Sequence, residues 1–331
     1  MNFCRMNVLV TGGAGYIGSI VTEHLLKQGH NVTVLDNLQQ GHREAVLSPA
    51  EFVLGDICDA KTLEQIFRSF KINAVMHMAA DTLVGNSMND PKRYFHNNLV
   101  GGISLLNAML EHGVNKIIFS STAAVYGEPQ NTPMDEDHPK APINSYGQSK
   151  LMFETILDWY RRAYGIECIS FRYFCAAGAT HLLGEDHRPE THLIPNVLKV
   201  ALNKDNAVSV FGTDYSTKDG SCIRDFIHVT DVAQAHLLAL EKADSLSGNV
   251  YNLGNGQGYS VLEVMKVAEK IVGRNIPVKF SPRRPGDPVT LIASSKRATK
   301  ELGWSPEFPE LGSIIESAWR WLKDHPHGYK R

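Results

Sequence analysis

Tyr146 and Lys150, in the run Tyr146-Gly147-Gln148-Ser149-Lys150, are the residues best equipped for proton chemistry. An i, i+4 spacing puts both side chains on one face of a helix, one turn apart. A phenol of pKa about 10 is a poor base at neutral pH, and a neighbouring ammonium favours its phenolate. Thr122, about two dozen positions upstream, offers a hydroxyl that can hold the same substrate hydroxyl. A second constellation is Thr11-Gly12-Gly13-Ala14-Gly15-Tyr16-Ile17-Gly18, which follows the apolar run Val8–Val10 and precedes an amphipathic segment. Glycines where a strand turns into a helix let the backbone approach a pyrophosphate, whose charge the helix N-terminus meets. Asp36 stands 18 residues beyond Gly18. A carboxylate there accepts from a ribose 2′-hydroxyl and repels a 2′-phosphate, so the pattern predicts NAD over NADP. A cationic nicotinamide ring would add to the pull on the Tyr146 phenol.

These residues need elements to hold them. Met6–Val10, Val32–Leu35, Glu51–Leu54, Ala74–His77, Lys116–Ser120 and Glu167–Arg172 read as strands, apolar nearly throughout. Strands buried on both faces have that texture. Between them lie helical patterns at Ile17–Gln28, Thr62–Phe70, Asn98–His112 and Ser145–Tyr164. The alternation predicts βαβ units and a doubly wound parallel sheet. Ligands of such sheets bind outside the carboxyl ends of the strands. That places Asp56 and Ile57, Met78-Ala79-Ala80, Ser120 and, at the start of the next helix, Asn97 among the cofactor contacts. After Arg172 the texture loosens, with a strand-like Phe226–Val229 and a helix-like Asp231–Lys242 returning the chain to the first lobe.

Composition excludes several classes. The 331 residues carry 33 Lys plus Arg against 35 Asp plus Glu, a net charge of −2, which gives no footprint for nucleic acid or an anionic membrane. No apolar run is long enough for a membrane span, and the N-terminal apolar run leads straight into glycines, unlike a signal peptide. Five cysteines (Cys4, Cys58, Cys168, Cys175, Cys222), odd in number and without a CxxC pair, predict neither a disulfide framework nor a zinc site. His181, His187 and His192 with Glu185 and Asp186 lack HExxH spacing and are read as a loop without metal. The expectation is a soluble protein of a reducing, cytoplasmic compartment.

Thr11–Gly18, Ser120–Gly127, Tyr146–Lys150 and Phe171-Arg172-Tyr173-Phe174 resemble the extended short-chain dehydrogenase/reductase family. Phe211-Gly212-Thr213-Asp214-Tyr215, Arg224-Asp225-Phe226-Ile227-His228-Val229, Tyr251-Asn252-Leu253-Gly254 and Arg283-Arg284-Pro285-Gly286-Asp287 narrow the likeness to its UDP-hexose 4-epimerases. The resemblance implies a Rossmann-type sheet with a smaller α/β substrate lobe. Residues 1–174 and 226–254 would bind NAD, and 175–225 with 255–331 the UDP-sugar. It implies that Tyr146 removes the 4-hydroxyl proton while C4 is oxidised, and that the 4-keto sugar turns over before it is reduced. It also assigns Asn37 and Phe174 to the cofactor, and Cys175, His192, Leu193, Phe211, Arg224, Arg284, Asp287 and Leu291 to the substrate. Guanidinium forks at Arg224 and Arg284 suit a diphosphate, and Phe211 offers a flat face for uracil. A homodimer through the helices after Asn97 and Ser145 is implied as well.

Three positions depart from the family pattern: Cys175 for Asn, Thr82 for Lys, and Leu291 for Tyr or Cys. The last and the first leave room for an N-acetyl sugar, so a UDP-N-acetylglucosamine 4-epimerase is the alternative. Dehydration needs further acid and base groups beside Thr122, and Ala123 and Ala124 cannot transfer protons, which disfavours dehydratases and decarboxylases. A silent NAD-sensing protein would not need Thr122, Tyr146 and Lys150 together.

Overall fold

The computed structural model describes residues 5–203, 207–243, 246, 249–284 and 287–330. Cys4 and the Pro285-Gly286 pair lie outside the described residues. The chain runs β1 (Asn7–Thr11), α1 (Tyr16–Lys27), β2 (Asn31–Asp36), β3 (Glu51–Leu54), α2 (Ala60–Phe70), β4 (Ala74–His77), α3 (Val84–Asn89), α4 (Pro91–Phe95), α5 (Gly101–Glu111), β5 (Lys116–Thr122), α6 (Ser145–Tyr164) and β6 (Glu167–Tyr173). It continues with β7 (Cys175–Ala177), α7 (Leu193–Asn203), β8 (Val208–Phe211), β9 (Ile223–Arg224), β10 (Phe226–His228), α8 (Val229–Lys242), β11 (Val250–Leu253), β12 (Tyr259–Ser260), α9 (Val261–Val272), β13 (Val278–Ser281), β14 (Thr290–Leu291) and α10 (Leu311–Asp324).

Seven strands form one parallel sheet in the order β11-β6-β5-β4-β1-β2-β3, the doubly wound Rossmann-type arrangement. Alternation along β1 shows why its run is apolar throughout. Val8 and Val10 pack with Ile20, Val21 and Leu25 of α1 and Val232 of α8. Leu9 faces the other side, with Leu63 and Ile66 of α2, Leu105 and Met109 of α5, and Phe153 and Leu157 of α6. Each such fully buried aliphatic side chain contributes about 1.5–3 kcal/mol.

Two sequence expectations shift. Asn97 does not open a helix: Asp90 caps α4 by accepting from Arg93 N, Pro91 takes the first helical position, and the chain stays helical through a π turn at His96–Val100 into α5. Asn97 therefore sits inside the helical run. Phe226–His228 is a strand, but it pairs with β7 outside the main sheet. Val229 already belongs to α8, capped by the His228 side chain, which accepts from Thr230 N. Smaller sheets pair β13 with β8, and β9 with both β12 and β14. Among the described residues no helix is long and apolar enough to cross a membrane.

Candidate active site

Strand β5 ends at Thr122, which caps a 3-10 turn at Ala123–Val125 by accepting from Ala124 N at 3.1 Å. Helix α6 starts against that turn. Asn144 caps it, accepting from Gly147 N at 2.8 Å. A Cβ on Gly147 would lie 2.5 Å from the Ala124 carbonyl oxygen, so only glycine lets the first turn of α6 come this close. The approach sets the Tyr146 hydroxyl beside the Thr122 side chain, which acts to lower the phenol's pKa. One turn on, Lys150 is 2% exposed and donates from Nζ to Ser120 O at 2.8 Å. Its Nζ stands 4.8 Å from the Phe119 ring centroid and 6.0 Å from that of Tyr146.

The electrostatics differ from the expectation for Tyr146 alone with Lys150. Burial pushes the phenol up to about 12, and Thr122 pulls the other way. Burial draws the Lys150 ammonium down to about 7, against the attraction of Glu154 one turn further along α6. Desolvation is the largest cause of both shifts and favours the neutral form of each group, so the ligand-free phenol keeps its proton.

Sequence reasoning missed the support beneath this trio. Glu154, 8% exposed, accepts from Ser121 Oγ on β5 and from Arg172 on β6, at 3.0 Å from Nε and 2.6 Å from NH2. Arg172 also donates to Tyr126 Oη at 2.9 Å, and Tyr126 donates to Asn252 Oδ1 of β11 at 2.6 Å. A buried network of this kind is costly when partly paired and rigid when complete. The available signal was a glutamate at i+4 from Lys150 on an otherwise apolar helix face.

At the carboxyl edge of the sheet, Gly12 leaves β1 with φ +72°. Gly15 caps α1 with no side-chain hydrogen bond, so no side chain occupies the first-turn amides of Tyr16, Ile17 and Gly18. A Cβ on Gly15 would meet only the Gly12 carbonyl oxygen, at 3.3 Å, leaving a cradle that an approaching pyrophosphate would use. Asp36 ends β2 and is 9% exposed; its two oxygens accept from Ala14 N at 3.0 Å and Leu38 N at 2.8 Å. Burial pushes this carboxyl above its ordinary range, against those hydrogen bonds. Asn37 donates to Asp56 Oδ2 at 3.0 Å, and Ile57 is buried beside them. Met78, Ala79 and Ala80 follow β4, Ser120 lies near the end of β5, and Phe174 follows β6, packed with Ala123 and Val125. Asn97 donates to Asn98 Oδ1 at 3.2 Å. The edge fits a dinucleotide.

The substrate candidates fall into two groups. Phe211 ends β8, and the Arg284 guanidinium stacks 3.9 Å from its ring centroid. A base stacking on that same face would have to displace Arg284. Beside it an open cleft of about 410 Å³ lies between Gly212–Asp214 and Phe280–Arg283. Arg224 is anchored, donating to the carbonyls of Ile223 (2.8 Å) and Pro288 (2.9 Å), with Asp287 Oδ1 at 3.5 Å from its NH2. Its backbone is registered against Leu291 of β14. The next residue, Asp225, is fully buried and accepts from the amides of Asn255, Gly256 and Ala293, while burial lifts its carboxyl to about 6. Leu291 packs against the cluster that holds Ala123 and Phe174, which brings it to the turn after Thr122. Cys175 lies among Arg224, Asp225 and Asp287, its thiol pushed up by burial to about 12. Thr82 is exposed, after β4.

The second group is His192 and Leu193. Leu193 opens α7, and His192 sits with Glu185, 2.7 Å away, in a loop whose His187 ring meets the Tyr16 ring edge-on at 6.3 Å. Burial lowers and Glu185 raises the His192 pKa, and the outcome is about 10.

A family model described as NAD dependent epimerase/dehydratase family matches residues 8–254. The UDP-glucose 4-epimerase of Halalkalibacterium halodurans is 53% identical over 328 residues, 98% of each chain. The solved structure of UDP-glucose 4-epimerase from Bifidobacterium longum in complex with NAD+ and UDP matches at 39% identity and a TM-score of 0.93, over 98% of this chain and all of that one. The UDP-Glc/GlcNAc 4-epimerase from Campylobacter jejuni matches at 41% identity and a TM-score of 0.84, over 96% of this chain and 99% of its own.

Proposed function

The chain belongs to the NAD dependent epimerase/dehydratase family, and from that premise we propose that it interconverts UDP-glucose and UDP-galactose. The observation that carries this reading is the meeting of Thr122 and Tyr146 beside buried Lys150, at the carboxyl edge of a dinucleotide-type sheet. Gly12, Gly15, the α1 N-terminus and Asp36 would hold NAD, whose contribution when bound is reversible oxidation at the sugar's C4.

The chain's own residues handle the proton and the sugar. Tyr146 takes the 4-hydroxyl proton and later returns it, a role worth roughly 10²–10⁴-fold in rate. Thr122 holds that hydroxyl against the phenol. Lys150, when protonated, supplies positive charge from a dry site, where it acts more strongly than in water. Epimerisation requires the 4-keto ring to present its other face, so the walls beside it must grip weakly. Leu291 and Cys175 suit that need, since neither fixes the ring with a strong hydrogen bond. The same pair supports a second reading, tolerance of N-acetyl sugars, in keeping with the dual substrate named for the Campylobacter jejuni relative.

We take residues 1–174 and 226–254 as the NAD lobe and 175–225 with 255–331 as the UDP-sugar lobe. A homodimer is supported by Val100, Met152, Trp159 and Tyr164, exposed apolar residues along the run into α5 and on α6. Cys58, Cys168, Cys175 and Cys222 are free thiols, in keeping with a cytoplasmic location. The test of function is to incubate the purified protein with UDP-galactose and no added reductant. The expected result is equilibration with UDP-glucose; a dehydrated or decarboxylated product, or no conversion, would contradict the reading.

A further inference from the structure

Between β7 and α7 the chain folds a loop in which Glu185, His187, Glu190 and His192 turn donor atoms toward one another. One donor from each lies within 4.8 Å of the other three. Nδ1 of His187 and Nδ1 of His192 stand 3.0 Å and 2.7 Å from a single oxygen, Glu185 Oε1. His192 Nδ1 is also 3.1 Å from Glu190 Oε1, and His187 Nδ1 is 4.0 Å from Glu190 Oε2.

Glu190 gives the second, independent sign. Its side chain is only 5% exposed. Oε1 is engaged by the backbone amides of Thr191 and His192, both at 2.9 Å. Oε2 is buried and accepts no hydrogen bond among the described residues; the nearest cation, the Lys199 ammonium, is 3.6 Å away. Burying a carboxylate oxygen without a hydrogen bond is unfavourable. This one stands 4.0 Å from His187 Nδ1.

Two imidazole nitrogens and two carboxylate oxygens are a donor set for a divalent transition metal, and the two carboxylates balance its charge. Zinc takes such ligands tetrahedrally at about 2.0–2.2 Å, which sets neighbouring donors roughly 3.3–3.6 Å apart. The observed separations of 2.7–4.8 Å bracket that value. Asp186 is not part of the set, since its carboxylate pairs with Arg188 at 2.7 Å and accepts from Tyr329 N at 3.1 Å.

We propose that Glu185, His187, Glu190 and His192 bind one zinc-like divalent cation that clips this loop against α1. The link to α1 is Tyr16. Its ring meets that of His187, and its hydroxyl donates to Gly178 O at 2.7 Å, at the start of the same segment. Coordination through Nδ1 leaves His192 only Nε2 for any contact with a substrate. The HExxH template could not find this site. Its ligands are spaced two and three residues apart in irregular backbone, so no helix face presents them.

The site does not depend on the epimerase reading and is tested without an activity assay. Untagged protein with its cofactor retained is stripped with a chelator, then dialysed against zinc chloride. Metal content, melting temperature and, with cobalt substituted, the visible absorption of a tetrahedral site are read. Wild type should retain one zinc per chain, melt at a higher temperature with zinc, and show the cobalt bands. His187→Gln and Glu190→Gln should each bind zinc at least about tenfold more weakly and lose those bands. Wild type that keeps no stoichiometric zinc overturns the proposal whatever the variants do, and so do folded variants that bind zinc as tightly as wild type.

Discussion

The Tyr146 hydroxyl and Thr122 face each other across the seam between the first turn of α6 and the end of β5, two elements joined by a long connection in sequence, and Thr122 acts to lower the phenol's pKa. What closes the seam is the missing side chain of Gly147, packed on the Ala124 carbonyl.

Gly147→Ala should therefore damage catalysis more than folding. The added Cβ would sit 2.5 Å from a backbone oxygen, so α6 must move away from β5. A displacement of about 1 Å at reacting groups can cost 10²-fold. Turnover with UDP-galactose should fall by about that factor while NAD stays bound. A variant as active as wild type would show that the close approach is not required.

Burial of Lys150 makes stability pH-dependent. Its folded pKa, about 7, lies below the unfolded value of 10.5, so between them the unfolded chain binds more protons. Stability then rises with pH across that window. Tyr146 acts oppositely and at higher pH, favouring the folded state until pH rises from 10 through about 12. Lys150→Met should be more stabilising, relative to wild type, at about pH 7 than at about pH 9.5. Urea unfolding of cofactor-free protein at the two values measures this; a difference independent of pH would mean Lys150 is not desolvated.

Asp36 holds the glycine turn through its bond from Ala14 N and is the residue proposed to hold the ribose. Asp36→Ala should weaken NAD binding, relax discrimination against NADP, and lower stability by roughly 1 kcal/mol per lost hydrogen bond. Protein as isolated should carry some NAD or NADH. Titrating both dinucleotides into wild type and variant decides the matter, and a wild-type preference for NADP would refute the assignment.

Leu291 touches the Ala123–Phe174 cluster beside Thr122, where an added phenol would intrude on the sugar space. UDP-glucose and UDP-galactose should be the main substrates, with measurable turnover of the N-acetyl pair. Leu291→Tyr should remove mostly the latter, an effect of about 1–3 kcal/mol, or roughly 10–200-fold. Comparing kcat/KM for both pairs tests it. Equal losses, or no N-acetyl activity in wild type, would show that Leu291 does not gate the pocket.

The sheet was legible because β1, β2, β4, β5 and β6 are buried on both faces, and burial leaves an unbroken apolar run. Asp36 and the glycine turn were legible because they sit at fixed places on that sheet. Asn97 was misplaced because the Asp90-Pro91 start signal lies about two turns before the apolar pattern becomes regular. Phe226–His228 reads as a strand from composition, but its partner, β7, is set by tertiary packing. Glu154 and Asp225 look like surface carboxylates in sequence, since only the fold supplies the donors that permit their burial. The stacking of Arg284 on Phe211 joins residues from β8 and the loop after β13, a contact that no local spacing encodes.

The most direct test of the central claim is the turnover of Tyr146→Phe with UDP-galactose, measured on protein whose NAD content and melting temperature match wild type. Removing the hydroxyl while keeping the ring should lower kcat by roughly 10²–10⁴-fold. Turnover within a few-fold of wild type would contradict Tyr146 as the group that takes the sugar's proton.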